Sequence, residues 1–265
     1  MEDIKQLAES GDALAQYKMG LQSDSYEEAF EWFMKAAEKG LAEAQYALGD
    51  CYALGYGVEE DWETAYEWFL KSALQGYALG QFEVAECLAS GTGVEEDEEK
   101  ALEWYIKSAE NGCAMAQVEI GIRHDKKGNF AEAAKWYEKA ALQGDPEGQH
   151  NLGCMYLNGE GVPLDYDRAF KLFCLAAEQH VGGAICNVGY CYEMGYGVEK
   201  DVEKANELYL KVADCDPTAA FNIAESYELG RGVEKNLETA LKWYRRAEEL
   251  GDEEAKQKII ELTNN

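Results

Sequence analysis

Residues 40–75 read GLAEAQYALGDCYALGYGVEEDWETAYEWFLKSALQ, and this stretch decides the fold because the chain says it again, with edits, along its whole length. The nominal period is 36 residues: the same frame starts at Gly40, Gly76, Gly112, Gly144, His180 and Cys215, and a shorter copy starts at Gly11. Five copies carry an internal Gly-x-Gly, at Gly55/Gly57, Gly91/Gly93, Gly159/Gly161, Gly195/Gly197 and Gly230/Gly232. The copies at Gly11 and Gly112 lack that pair and are seven and four residues shorter. A period of this size marks a supersecondary unit that cannot bury its apolar side alone and must stack on its neighbours.

Inside a unit, small residues recur at the fifth position (Ala15, Ala44, Gly80, Ala116) and apolar ones at the ninth (Met19, Leu48, Val84, Ile120). The tenth is tiny again (Gly20, Gly49, Ala85, Gly121, Gly153, Gly189, Ala224). Spacings of four and five put these on one face of a helix, here the A helix. Glycine in a helix costs about 1 kcal/mol against alanine, so its recurrence there predicts close approach of a second helix. The first glycine of each Gly-x-Gly suits the left-handed residue that ends a helix. Asp61, Asp97, Asp165, Asp201 and Asn236 then stand where a side-chain oxygen can cap a second, B helix. Along it Ala29, Ala65, Ala101, Ala133, Ala169, Ala205 and Ala240 precede bulky pairs such as Trp68-Phe69 by three residues, a small-against-large pattern suited to an antiparallel helical hairpin.

The run A-x-x-L-G-x-x-Y-x-x-G-x-G-V-x-x-D-x-x-x-A-x-x-W-[FY]-x-K-[AS]-A resembles the Sel1-like repeat, a relative of the tetratricopeptide repeat with a longer loop after its first helix. The resemblance covers about residues 11–250; Ala85 and Ala224 depart from its glycine, and Leu172 and Leu208 from its tryptophan. The expected fold is all-α, a right-handed solenoid of about seven antiparallel helix pairs in one domain, residues 1–265. Its repeats fall at about 11–39, 40–75, 76–111, 112–143, 144–179, 180–214 and 215–250, with a cap at 251–265. Ile4, Leu7 and Ala8 are expected to lid one end, and Ile259, Ile260 and Leu262 the other.

With 52 acidic against 24 basic residues the formal charge is −28, which disfavours nucleic acid and anionic membrane and favours a basic partner, or simply solubilises the surface. Three prolines and no low-complexity run leave no visible linker. MEDIKQLAES offers no apolar run for a secretory signal, so a cytoplasmic location is expected. Secreted relatives pair cysteines within each unit, and the eight cysteines here do not share that spacing; free thiols are expected.

Nothing assembles an active site. The Gly-x-Gly loops do not extend to GxGxxG or GxxxxGK[ST], and acidic residues follow them. His124, His150 and His180 have no metal-ligand spacing, and no S-x-x-K or G-x-S-x-G occurs. No cofactor and no metal are expected, and the reading is non-enzymatic.

What remains is the surface that stacking creates. Resemblance to tetratricopeptide repeats implies a concave wall of A helices with a groove at the fourth, seventh, eleventh and fourteenth positions. The seventh includes Tyr17, Tyr46, Phe82 and Phe221; the eleventh includes Asp50, Glu86, Tyr190 and Glu225; the fourteenth adds Glu193 and Glu228. Aromatics beside carboxylates suit a protein or peptide with basic and apolar residues. The same aromatics could equally be core between helices. Asn151, Asn187 and Asn222, at the eighth position, could grip a peptide backbone or bond a neighbouring helix. The expected function is an interaction scaffold or adaptor. The alternatives are a β-lactam-binding or weakly hydrolysing enzyme, after cysteine-rich relatives, and an acidic chaperone or decoy for a basic protein.

Overall fold

The structure, a computed structural model, describes residues 2–263, so that Met1, Asn264 and Asn265, at the outer ends of the two expected caps, lie outside the described residues. Those residues form sixteen helices, with no strand among them. Backbone contacts divide the chain into two compact units, Met1–Ile120 and Gly121–Asn265, although composition marks no linker there. Each is described by itself.

The first unit holds α1 (Glu2–Ser10), α2 (Ala13–Leu21), α3 (Tyr26–Glu38), α4 (Ala42–Leu54), α5 (Trp62–Leu74), α6 (Ala78–Ser90) and α7 (Glu98–Glu110); the division falls within α8 (Ala114–Lys126). The hairpins are α2/α3, α4/α5 and α6/α7, and each B helix also packs on the next A helix, α3 on α4 and α5 on α6. The second unit holds α9 (Phe130–Leu142), α10 (Pro146–Asn158), α11 (Tyr166–Glu178), α12 (Gly182–Met194), α13 (Val202–Val212), α14 (Pro217–Leu229), α15 (Leu237–Glu249) and α16 (Glu253–Thr263). Its hairpins are α10/α11, α12/α13 and α14/α15, with α16 packed on α15.

The helix starts follow the capping chemistry. Asp61 accepts from the Thr64 amide at 3.1 Å, Asp97 from Lys100 at 3.0 Å, Asp165 from Arg168 at 3.0 Å, Asp201 from Lys204 at 2.9 Å and Asn236 from Thr239 at 3.0 Å. Each satisfies an amide that has no partner within its own helix.

The tenth-position glycine has a more specific reason than helix approach in general. A Cβ on Gly49 would stand 2.5 Å from the Phe69 ring, and the same collision recurs between Gly20 and Phe33, Gly121 and Tyr137, and Gly153 and Phe173. In these hairpins the second member of the bulky pair thus lies against the bare backbone of its partner helix. The second glycine of Gly-x-Gly does a different job. Gly57 has φ +73°, and a Cβ there would run into the carbonyl oxygen of Tyr26 at the start of α3, the B helix of the preceding repeat. Successive repeats touch backbone to backbone at that point.

A row of buried glutamines adds a polar tie that the reading by small and apolar positions missed. The side-chain amides of Gln16, Gln45, Gln81 and Gln117 donate to the carbonyls of Ala8, Ala37, Ala73 and Ala109 at 3.0–3.3 Å. Each ties an A helix to the end of the helix before it and occupies backbone oxygens that lack partners inside their own helix. The signal was present as a glutamine after the small fifth residue in five of the seven repeats.

The caps need two corrections. Ala8 is buried and Ile4 half-buried, but Leu7 is 52% exposed. Ile259 and Leu262 pack against the α13–α15 core, whereas Ile260 is 46% exposed. A terminal helix has one neighbour only, so it buries one narrow stripe and the adjacent apolar side chain stays in water.

Replacing Gly76, which has φ +87° and open space around it, with alanine is expected to cost about 1 kcal/mol from the left-handed backbone alone. Gly57→Ala meets both the left-handed backbone and the Tyr26 carbonyl, and should cost more than about 3 kcal/mol. Urea midpoints of the two variants check this; equal losses would show that the contact with Tyr26 contributes nothing.

Candidate partner-binding surfaces

The seventh-position aromatics are neither free nor fully core. The Tyr17 ring lies 5.8 Å from Phe33, Tyr46 lies 5.9 Å from Phe69 and Phe82 lies 5.9 Å from Tyr105; all three residues are half-buried. Each rests on the B-helix ring of its own hairpin with its outer edge left toward solvent. Phe221 does the same with Tyr244 at 5.3 Å, and Tyr190 meets Tyr196 edge-on at 5.8 Å.

In the first unit these rings are interleaved with carboxylates that have no counter-ion. Among the described residues none of Glu43, Asp50, Glu83 and Glu86 is in an ion pair. Burial pushes the Asp50 carboxyl up to about 6 even though the Tyr46 hydroxyl bonds to it. Burial, then repulsion from Asp50 and Glu86, pushes Glu83 up to about 7. Tyr46 is raised well above the usual phenol range by burial, then by Asp50 and Glu83. Tyr17 and Tyr77 are raised by burial first, and both also feel Glu43 and Asp50. Tyr105 donates to Glu86. The residues therefore act on one another as a single anionic, aromatic patch contributed by α2, α4, α6 and α7.

Glu83 and Glu43 were not singled out in the sequence. Glu43 stands at the fourth position of its unit, which the repeat frame marks as groove-facing. Glu83 stands at the eighth, the position of the asparagines, and only the proximity of α4 to α6 brings it to Asp50.

The second unit treats its candidates differently. Arg231, the middle residue of a Gly-x-Gly, pairs with Glu193 at 3.2 Å and also with Glu225. The Tyr209 hydroxyl donates to Glu193 at 2.8 Å, the Tyr244 hydroxyl to Glu228 at 2.5 Å, and Lys258 pairs with Glu228 at 3.2 Å. Against the burial that would raise it, Tyr244 and Lys258 hold Glu228 below the usual carboxylate range. These three carboxylates already have cationic partners within the chain.

The asparagines part company. Asn187 lies 2.9 Å from Nε2 of His150 and 3.7 Å from the Cys154 sulfur, and Asn222 bonds to the Tyr209 hydroxyl. Asn151 is half-buried. The His150–Cys154–Asn187 group sets a thiol 3.8 Å from an imidazole, an arrangement that invites comparison with nucleophilic catalysis. The amide donor at Nε2 makes that nitrogen the acceptor of a neutral ring. Burial lowers the His150 pKa and pushes the Cys154 thiol up to about 11. A thiol held protonated beside an occupied imidazole lone pair is a packing element rather than an activated nucleophile.

All eight cysteines are free. Among the described residues no group of three or more His, Cys, Asp or Glu is arranged to hold a metal ion, and no helix is long and apolar enough to cross a membrane.

The chain can now be set beside known proteins. The Sel1 repeat family model matches residues 13–41, 42–77, 78–113, 114–145, 146–181, 183–216 and 217–252, seven windows offset by two or three residues from the frames read in the sequence. A crystal structure of a protective antigen from uropathogenic Escherichia coli superposes with a TM-score of 0.79 at 36% identity, covering 97% of this chain and 58% of that one. A Sel1 repeat protein from Oxalobacter formigenes superposes with a TM-score of 0.75 at 32% identity, covering 89% of this chain and 96% of that one. Human protein sel-1 homolog 2 is 33% identical over an alignment of 106 residues that covers 37% of this chain and only 15% of that relative's length. With seven repeats in register and the all-helical fold of its solved neighbours, the chain belongs to the Sel1 repeat family, an α-solenoid class.

Proposed function

We propose that the chain is an interaction module that holds a basic protein segment with apolar anchors on the A-helix face of α2, α4 and α6. Sel1 repeat proteins are interaction scaffolds, and the chain shares their repeat along most of its length. The observation that carries the finer reading is the patch around Asp50 and Glu83. Burial raises the proton affinity of Asp50 and Glu83, Asp50 and Glu86 raise that of Glu83 further, and a lysine or arginine from outside relieves that. Tyr17, Tyr46 and Phe82 supply flat apolar contact between the charges. Glu193, Glu225 and Glu228 bond to cations of their own chain, so the reading places the basic partner on the first unit alone. The activity is one of binding, not of chemistry.

A fluorescently labelled peptide alternating arginine and leucine is a direct probe. Anisotropy titration should show binding that Tyr46→Ala with Phe82→Ala and Glu86→Ala weakens at least tenfold, and that the near-isosteric pair Asp50→Asn with Glu83→Gln weakens to a similar degree. Binding that is strongly salt-dependent but indifferent to Tyr46→Ala would instead favour an acidic decoy acting through net charge. Incubation with a chromogenic β-lactam should give no colour above buffer.

The patch also sets a pH dependence. Asp50 and Glu83 have folded pKa values of about 6 and about 7, above the unfolded carboxylate range, so the stability linked to them is full below pH 4 and is lost as pH rises through 6 to 7. The wild-type protein should therefore lose more stability between pH 5 and 8 than Asp50→Asn with Glu83→Gln does. Parallel curves for the two proteins would refute the assignment. Binding of the basic peptide runs the other way, strengthening over that interval and releasing protons near pH 6.5, as calorimetry in buffers of different ionisation heat can register.

A further inference from the structure

In the second repeat Trp68 of α5 packs against the core that α3 and α4 build from Phe33, Leu48 and Cys51, as Met34 and Tyr52 do. Trp243 of α15 sits in the same way against the α13/α14 core. Over each of four such indoles stands the ammonium of a lysine three residues on, from Lys139 over Trp136 at 3.5 Å to Lys35 over Trp32 at 4.4 Å. The fifth repeat has lost these fillers together. Leu172 replaces the tryptophan, Leu175 replaces the lysine, and Glu138 stands where the second repeat's groove has Met34. What is left between α9, α10 and α11 is an open pocket of about 300 Å³, floored by Leu152, Tyr156 and Leu172 and walled by Leu142 and Leu175. Leu142 is 82% exposed, so its side chain stands at the mouth rather than closing it.

The rim carries charge of the sign that is scarce in this chain. Arg168 donates to the Tyr156 hydroxyl at 3.0 Å and pairs with Asp165 at 3.3 Å, while Lys171 is exposed and has no ion pair among the described residues. Both border the pocket, as does Glu138. We propose that this pocket is a second docking site, which receives an aromatic side chain of indole size from a partner protein whose neighbouring residues are acidic. The occupant's shape follows from the ring that the chain itself places in the equivalent groove of other repeats. Its charge follows from Lys171, the rim cation that has no ion pair among the described residues, in a chain of formal charge −28, most of whose surface would repel an acidic segment. The site uses different helices from the Asp50/Glu83 patch and the opposite charge preference, so it stands or falls separately.

The probe is a labelled nine-residue peptide with one tryptophan flanked by aspartates, beside a control with alanine for the tryptophan. The intact chain should bind the first at least tenfold more tightly than the second. Leu172→Trp with Leu175→Lys rebuilds the internal ring and its ammonium; it should keep or raise the melting temperature and weaken binding at least tenfold. Lys171→Glu, a surface change, should weaken binding without moving the melting temperature. Unchanged binding in the refilled variant, equal binding of the alanine peptide, or no binding by the wild type overturns the proposal. So does sedimentation showing a wild-type dimer that the refilled variant dissolves, because the occupant would then be a second copy of this chain.

Discussion

Five of the seven hairpins are held together by an aromatic ring laid against a backbone that has no side chain to keep it away. Gly20 with Phe33, Gly49 with Phe69 and Gly153 with Phe173 are instances of one contact, made between the tenth residue of the A helix and the second member of the B-helix pair. Deep seating of that ring brings the helix axes close enough for the small fifth residues to be buried completely, as Ala44 and Ala184 are. It also fixes where the seventh-position ring must sit, because that ring leans on the one below it. The seventh-position row and the core are in this sense two sides of a single stack of aromatics.

The polar groups follow the same economy. Capping aspartates close the B helices, buried glutamines tie each A helix to the preceding turn, and Ser72 and Ser108 bond to the carbonyls of Ala42 and Ala78 at 2.8 and 2.7 Å. The buried side chains of Gln45, Gln81, Ser72 and Ser108 are tolerated because each reaches a carbonyl. The carboxylates around Asp50 break that pattern, since the groups nearest to them are more carboxylates and phenols. A repeat protein can hold such a cluster because stability is summed over many interfaces, and a local cost in one is supported by its neighbours. Local inconsistencies of this kind are where function is to be sought.

Two departures from the repeat gain meaning by the same comparison. Leu172 in place of tryptophan reads in sequence as a neutral exchange of one apolar residue for another. In the fold it opens a pocket, because Leu175 and Glu138 fail to fill the space that the indole leaves. Arg231 reads as an ordinary loop residue, yet it reaches two glutamates from two different A helices and pairs both within the chain.

The fold was legible because its physical causes are local and repeated. Helix periodicity, the capping residue at Asp61 and its equivalents, and the left-handed glycine at Gly55 all act within a few residues, and seven copies let each signal be read against the others. Which carboxylates are paired was not legible, because Asp50 and Glu83 come from separate helices and Lys258 meets Glu228 across 30 positions. Nor could the choice between core and groove be made for Tyr46 or Phe82, since a residue at helical spacing is placed on a face by periodicity and covered or uncovered only by what packs against it. The sequence by itself determined the hairpin, its period and the chemistry along its A-helix face. Tertiary structure alone decided which of those charges remain unanswered and where a missing ring leaves a hole, because both depend on distances between segments that the chain order does not encode.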